Sequence, residues 1–372
     1  MSGLVLNFLL LYLGLWLLGM AFTAWRFAAR RGASPAGLLP APLPRVSILV
    51  AARDEEAALP RCLASLRALH YPAERLEILV GDDGSTDRTA AVAVAAMQGF
   101  AGRFEVISIV DTLGQARGKA NVLAHLTRQA TTDFFFITDA DISLPPTWVT
   151  GLLGHAGPGV GTVTGITAVG GPRLFDQLQG LDWLLSLSMV QVVSDLGRPV
   201  TAMGNNMLVT RAAYAATGGY EALPFSVTED FALFQAVLAA GFDFRQVFQA
   251  NIRADSLPMM SWAALLRQRK RWLRGVAGLP LRLRLELLFF GGFWPALGGV
   301  AWLAGPVAAL GAWGAKVLVQ GGLAYFAHRR AGLRLRWGLL PLFELYTLGL
   351  TAAVLVFQLT GGAVVWKGRR YE

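Results

Sequence analysis

The stretch Leu76-Glu77-Ile78-Leu79-Val80-Gly81-Asp82-Asp83-Gly84-Ser85-Thr86-Asp87 decides the fold. Leu76–Val80 has the length and apolar content of a strand buried on both faces. Two adjacent carboxylates and a glycine-containing turn follow. The Ala/Val-rich segment Thr86–Gln98 then reads as a helix. The same alternation recurs on either side. Val46–Ala51 is a strand, followed by a helix over Ala57–Leu69 with Leu59, Leu63, Leu66 and Leu69 on one face. Phe104–Ile109 is a strand, Lys119–Gln129 a helix, and Phe134–Thr138 a fourth strand. Strand–helix alternation at this spacing predicts an α/β domain with a mostly parallel, Rossmann-like sheet covered on both faces. Such sheets bind ligands beyond the carboxyl ends of their strands. The acidic motifs Asp82–Asp87 and Asp139-Ala140-Asp141 fall there.

The rest of the chain is unlike a soluble domain. Of 372 residues, 54% are hydrophobic and only 15% charged, and mean hydropathy is +0.48. A soluble chain carries roughly 25% charged residues. The single cysteine, Cys62, excludes an internal disulfide framework, and no H-E-x-x-H motif supports a zinc protease. Net charge is +9, unevenly spread. Residues 45–260 carry 15 basic and 21 acidic residues, whereas residues 261–372 carry 15 basic and 3 acidic. The positive charge flanks apolar runs, where a chain meets anionic lipid. Nucleic-acid binders instead concentrate it on a folded surface, so a nucleic-acid partner is excluded.

Leu4–Trp25 is apolar over a membrane-spanning length, with Arg26, Arg30 and Arg31 after it. A cleaved signal peptide has the reverse order, so residues 1–31 read as an uncleaved anchor with its N-terminus outside. Residues 32–44, rich in Gly, Ala and Pro, read as a linker, and 45–260 as the α/β domain. Residues 261–285 are basic and amphipathic and suit the membrane interface. Residues 286–372 form a membrane region with spans at about 287–305, 307–327 and 338–360. The basic loop His328–Arg336 should be cytoplasmic. Three crossings would then leave the basic tail 366–372 outside, against the charge rule unless one span is re-entrant or interfacial.

Four motifs carry possible chemistry, each with a plain structural alternative. Asp82 and Asp83 suit hydrogen bonds to a nucleoside, although Asp83 or Ser85 could simply cap the helix at 86–98. Asp139 and Asp141, two apart at a strand end, suit a hard divalent ion holding phosphate oxygens; the alternative is a solvated turn before Pro145-Pro146. Thr228-Glu229-Asp230 opens a helix at Phe231–Ala240, with Thr228 as a possible cap, and Asp230 suits a general base for an acceptor hydroxyl. Gln268, Arg271 and Trp272 share a helix face; they suit phosphate and a sugar ring, or an interfacial helix with snorkelling arginine and anchoring tryptophan.

The order DDGSTD, DAD, TED, Q-x-x-R-W, between an N-terminal anchor and C-terminal spans, resembles the family 2 membrane glycosyltransferases. These include cellulose, chitin and hyaluronan synthases and ceramide glucosyltransferases. Ala52–Glu56, Gly118-Lys119-Ala120, Gly204-Asn205-Asn206 and Gly218-Gly219-Tyr220 also look similar, with Asp54 where the family often has Asn. The resemblance implies a GT-A-like domain that moves a sugar, with inversion, from a nucleotide-sugar (a UDP-sugar) to a hydroxyl. Asp82, Asp83, Glu55, Lys119, Asp139, Gln268, Arg271 and Trp272 would hold the donor. Asn205, Glu229 and Trp272 would hold the acceptor, Asp230 would be the base, and Asp139 and Asp141 would bind Mg²⁺ or Mn²⁺. The few spans favour a membrane-lipid acceptor over a growing polysaccharide, the alternative being a processive synthase. The setting implied is a multi-pass protein of the inner (plasma) membrane with its catalytic domain facing the cytoplasm. A transporter is disfavoured by the long acidic domain, and an inactive binding module by the retention of every motif acid.

Overall fold

A computed structural model describes residues 2–30, 39, 41–359, 364–366 and 369–371. Most of the expected linker 32–44 and three of the seven residues of the basic tail 366–372 lie outside the described residues. The chain divides into two compact units. One comprises Met1–Arg31, Arg173–Leu196 and Met259–Gly362; the other comprises Gly32–Pro172, Gly197–Pro258 and Ala363–Glu372.

The second unit is the α/β domain. Its strands are β1 (Val46–Ala52), β2 (Leu76–Asp82), β3 (Arg103–Ser108), β4 (Phe134–Asp139), β5 (Val160–Thr164), β6 (Thr167–Val169), β7 (Met207–Thr210), β8 (Asp243–Gln246) and β9 (Ala254–Ser256). Seven of them form one sheet in the order β3-β2-β1-β4-β7-β5-β8. The first four are parallel, β7 runs antiparallel between β4 and β5, and β5 pairs with β8 in parallel. β6 and β9 form a separate parallel pair. The sheet is apolar through its thickness because Val46, Ile48, Val50, Ile78 and Val80 pack on one face and Leu49, Leu79, Phe135 and Ile137 on the other. Each such side chain, fully buried, contributes about 1.5–3 kcal/mol.

Chain direction reverses sides at β1. β2 and β3 lie to one side of it and β4 to the other, which opens a crevice beyond their carboxyl ends. Because β7 is antiparallel to β4, its first residues arrive at that same end. Gly204-Asn205-Asn206 is thereby delivered beside Thr138 and Asp139, with Thr138 Oγ1 donating to the Asn205 carbonyl at 3.0 Å.

Two helices start later than the sequence predicts. The segment expected at 86–98 is helical over Thr89–Ala96. Asp87, not Asp83 or Ser85, accepts the Thr89 N–H at 2.9 Å. The turn before it is stitched to the neighbouring loop, since the Asp54 N–H donates to Ser85 Oγ and the Thr86 N–H to Asp54 Oδ1. Helix Leu59–Arg67 likewise starts after a turn held by the Glu55 carbonyl.

Among the described residues of the first unit, four helices are long and apolar enough to cross a membrane: Ser2–Ala29, Leu281–Ala304, Pro306–Arg330 and Leu339–Gln358. Helix 281–304 runs antiparallel to helix 2–29, and helix 339–358 antiparallel to helix 306–330, whereas helices 2–29 and 306–330 run parallel. A Cβ on Gly299 would meet Leu9, while Trp16 packs on Phe290 and Phe293. Helix 306–330 pairs Lys316 with Glu344, and a Cβ on Gly321 would meet Leu340. The basic ends of helices 2–29 and 306–330 meet, because Arg330 donates to the Arg30 carbonyl and stacks over Phe27. The stretch expected as one amphipathic segment at 261–285 is divided. Trp262–Ala277 is the basic helix; Pro280 cannot continue it, and Leu281 opens the next helix. Helix Leu174–Asp195, numbered within the expected 45–260 domain, packs in this unit.

Candidate active site

The site begins where β1 and β2 end. Asp82, the last residue of β2, accepts hydrogen bonds from the N–H and hydroxyl of Ser85. This closes a turn that Gly84 completes with a φ of +66°. Asp83 is buried, its N–H donating to the Ala52 carbonyl. Arg53, which sequence reasoning did not single out, donates to the Asp83 carbonyl at 2.7 Å and lies 3.8 Å from its carboxylate. Asp54 has a φ of +51°. Asn and Asp are the side chains that best tolerate that conformation, so Asp in place of Asn keeps the loop's backbone. The Glu55 N–H is held by Thr89 Oγ1 at 2.8 Å, which fixes the residue beside the same turn.

Across the crevice a cation sits among carboxylates. Gly118, with a φ of +56°, lets the chain turn sharply into helix Lys119–Gln129. Lys119 Nζ then lies 2.6 Å from Asp139 and 2.9 Å from Glu229. Burial alone would lower the lysine pKa, but Asp139, Glu229 and Asp230 together raise it above its ordinary value. Lys119 is therefore a permanent ammonium, and it partly neutralises two of the acids.

Glu229 and Asp230 open helix Glu229–Ala239. Thr228 stands at its N-cap position without a side-chain capping bond. Asp230 is fixed by two backbone donors: the Gly204 N–H reaches Oδ2 at 2.9 Å, and its neighbour Phe231 reaches Oδ1 at 2.8 Å. Burial and then Glu229 push the Asp230 pKa up to about 6, against the pull of Lys119 and the two N–H donors. A carboxylate poised near neutrality is suited to proton transfer.

Asp139 ends β4, and Asp141 follows in the turn that Arg61 holds by donating to the Asp141 and Asp255 carbonyls. Two hard oxygen donors at a strand end fit Mg²⁺ or Mn²⁺, which commonly take one or two carboxylates and complete their shell with phosphate oxygens and water. Among the described residues no group of three or more His, Cys, Asp or Glu forms a self-contained metal site. Any such ion would complete its shell with phosphate oxygens or water.

Asn205 accepts a 2.8 Å hydrogen bond at Oδ1 from Thr167 of β6. Its neighbour Asn206 is wholly buried and ties three elements together. It accepts from Trp148 Nε1 and donates to the carbonyls of Ile166 and Ile252.

Gln268, Arg271 and Trp272 belong to the membrane unit, on helix 262–277, each half-buried. That helix is seated on its own unit. Trp262 packs on Phe175 and Tyr346, and Lys270 lies over the Phe357 ring.

The sheet order and this placement of acids at the strand ends define a GT-A glycosyltransferase fold. A mannosyltransferase from Pyrobaculum calidifontis, solved with GDP-Man and Mn²⁺, has the same fold, with a TM-score of 0.58 at 20% identity over 89% of this chain and 99% of that one. Glycosyl transferase family 21 matches residues 11–372, and the chain belongs to that family. A beta-monoglucosyldiacylglycerol synthase of Synechocystis is 26% identical over 238 residues, 63% of this chain and 48% of the relative. An N-acetylglucosaminyltransferase of Sinorhizobium fredii is 30% identical over 245 residues, 62% of this chain and 57% of the relative. The chain thus matches about half the length of these curated relatives.

Proposed function

We propose that this chain transfers a sugar from a nucleotide-sugar to a hydroxyl of a membrane lipid, with inversion at the anomeric carbon. The observation that carries the reading is the cluster at the carboxyl end of the sheet, where Lys119 lies between Asp139 and Glu229 and Asp230 is held beside Gly204. Membership of glycosyl transferase family 21 and similarity to a protein named for glucosyldiacylglycerol synthesis support it.

Asp82 and Asp83 hold the nucleoside, with Arg53 and Glu55 fixing the turns around them. Asp139 and Asp141 hold Mg²⁺ or Mn²⁺, which supplies positive charge to the diphosphate leaving group. Lys119 keeps Asp139 and Glu229 in place and adds a fixed positive charge. Asp230 accepts the proton of the acceptor hydroxyl as its oxygen bonds to the anomeric carbon, and the nucleoside diphosphate leaves from the opposite face. Asn205 and Glu229 orient the acceptor. By their chemistry Gln268 and Arg271 suit the donor phosphates, and Trp272 suits the acceptor, against which an indole can pack.

The four candidate spans among the described residues support a lipid acceptor over a growing polymer, because a polymer conduit calls for a wide bundle lined by groups that bind hydroxyls. With residues after 26 and the 328–336 loop on the cytoplasmic side, as their arginines favour, the domain faces the cytoplasm at the inner membrane. Calorimetric titration with a UDP-sugar tests the reading. Saturable binding that needs Mg²⁺ or Mn²⁺ is expected; absence of binding with either ion would overturn it.

A further inference from the structure

Within the Q-x-x-R-W segment, at the first position that the motif leaves open, lies an arginine. Arg269 projects from helix 262–277 towards helix 174–195, where its guanidinium donates to the Asp182 carboxylate. Both side chains are 17% exposed. The guanidinium carbon also lies 4.5 Å from the centroid of the Trp272 ring. Trp183, adjacent to Asp182, meets Trp272 as well, with ring centroids 4.6 Å apart and planes inclined at 52°. Two consecutive residues of one helix thus hold Trp272, one directly and one through Arg269.

We infer that Asp182 is a positioning residue: it fixes Arg269, and Arg269 with Trp183 fixes the indole plane of Trp272 for the acceptor. This rests on Trp272 meeting the acceptor, as proposed above. The physical argument turns on planarity. A guanidinium anchored at one nitrogen by a carboxylate and lying over a ring is restrained at two points, and its planar shape limits how it can meet that ring. An indole has two side-chain torsions, and contacts on separate parts of it leave neither free. A lysine at 269 would keep the charge and lose the plane. As a bare ion pair the contact would add little stability, because desolvation offsets most of the Coulomb gain. Orientation of Trp272 is the role that these two ring contacts support.

The test is steady-state kinetics of the full-length protein in lipid vesicles, varying diacylglycerol at saturating labelled UDP-sugar and UDP-sugar at saturating diacylglycerol. Asp182→Asn and Arg269→Gln should each raise the acceptor KM by about 10- to 100-fold, the cost of a small misplacement, with the donor KM unchanged. The double variant should be no worse than the poorer single variant, because both act through one pathway. Asp182→Glu should recover most of the loss. Multiplying losses in the double variant, or equal changes in donor and acceptor KM, would overturn the inference. Trp272→Ala separates the two levels. If it lowers acceptor affinity while Asp182→Asn does not, only the positioning role fails. If Trp272→Ala leaves the acceptor KM alone, the reading of Trp272 fails and the inference with it.

Discussion

The backbone N–H of Gly204 donates to Asp230 Oδ2 at 2.9 Å, and the absence of a side chain on Gly204 is what allows the approach. A Cβ there would lie 2.6 Å from the Asp230 Cβ and 2.8 Å from Oδ2. Gly204→Ala should therefore displace the carboxylate and lower kcat by about 10- to 100-fold, the scale expected of a misplaced group. Donor binding, read by calorimetry, should be retained.

Asp230 should also set the pH dependence. Burial and Glu229 hold its pKa up to about 6, and only the ionised form can accept a proton. Rate should rise with pH through about 6 and level off above it. The sign for stability is opposite: a raised carboxylate pKa favours the folded state below the ordinary range of about 4, and that contribution is lost as pH rises through 6. Asp230→Asn should lose about 10²–10⁴-fold in rate and flatten the acid limb, with donor affinity kept. A variant turning over within about threefold of wild type, far short of that range, would reduce Asp230 to a helix-start residue.

Donor affinity should depend on a divalent ion through Asp139 and Asp141. Asp141→Asn should remove the difference between titrations with Mg²⁺ and with a chelator, at an unchanged circular dichroism spectrum. Persistence of the metal effect would refute the assignment.

In the membrane unit, Lys316 pairs with Glu344, and its ammonium lies 5.4 Å from the ring centroids of Phe293 and Trp294 and 5.7 Å from that of Trp16. Removing one member strands a buried charge, at a cost of about 3–5 kcal/mol, whereas replacing both with apolar residues is often neutral. Lys316→Leu should markedly lower the thermal midpoint in detergent, and Lys316→Leu with Glu344→Leu should restore it. A double variant as unstable as the single would mean that the pair does more than cancel charge.

Much of this was legible in the chain itself. VSILV, LEILV and FFFIT are apolar runs too short for helices, and each lies within the strand it predicts. Asp82, Asp83, Asp139 and Asp141 were visible because they follow two of those runs closely. Helix starts were harder: Asp83, Ser85 and Asp87 are all competent caps, and the choice fell to bonds with Asp54 and Glu56 on another loop. The Lys119–Glu229 and Asp182–Arg269 pairs join residues far apart in sequence, with no local pattern to announce them. Asn206 read as a companion of Asn205, and only the packed structure separates the buried hub from its half-exposed neighbour.

The central claim, sugar transfer to a membrane lipid, is tested most directly by product analysis. Purified protein in vesicles would be given a panel of labelled nucleotide-sugars with Mg²⁺ or Mn²⁺ and either diacylglycerol or ceramide, and the products separated by chromatography and weighed by mass spectrometry. A glycolipid bearing one or a few sugars, lost with Asp230→Asn, is the predicted result. A long, lipid-free polymer, or no transfer from any donor, would contradict the account.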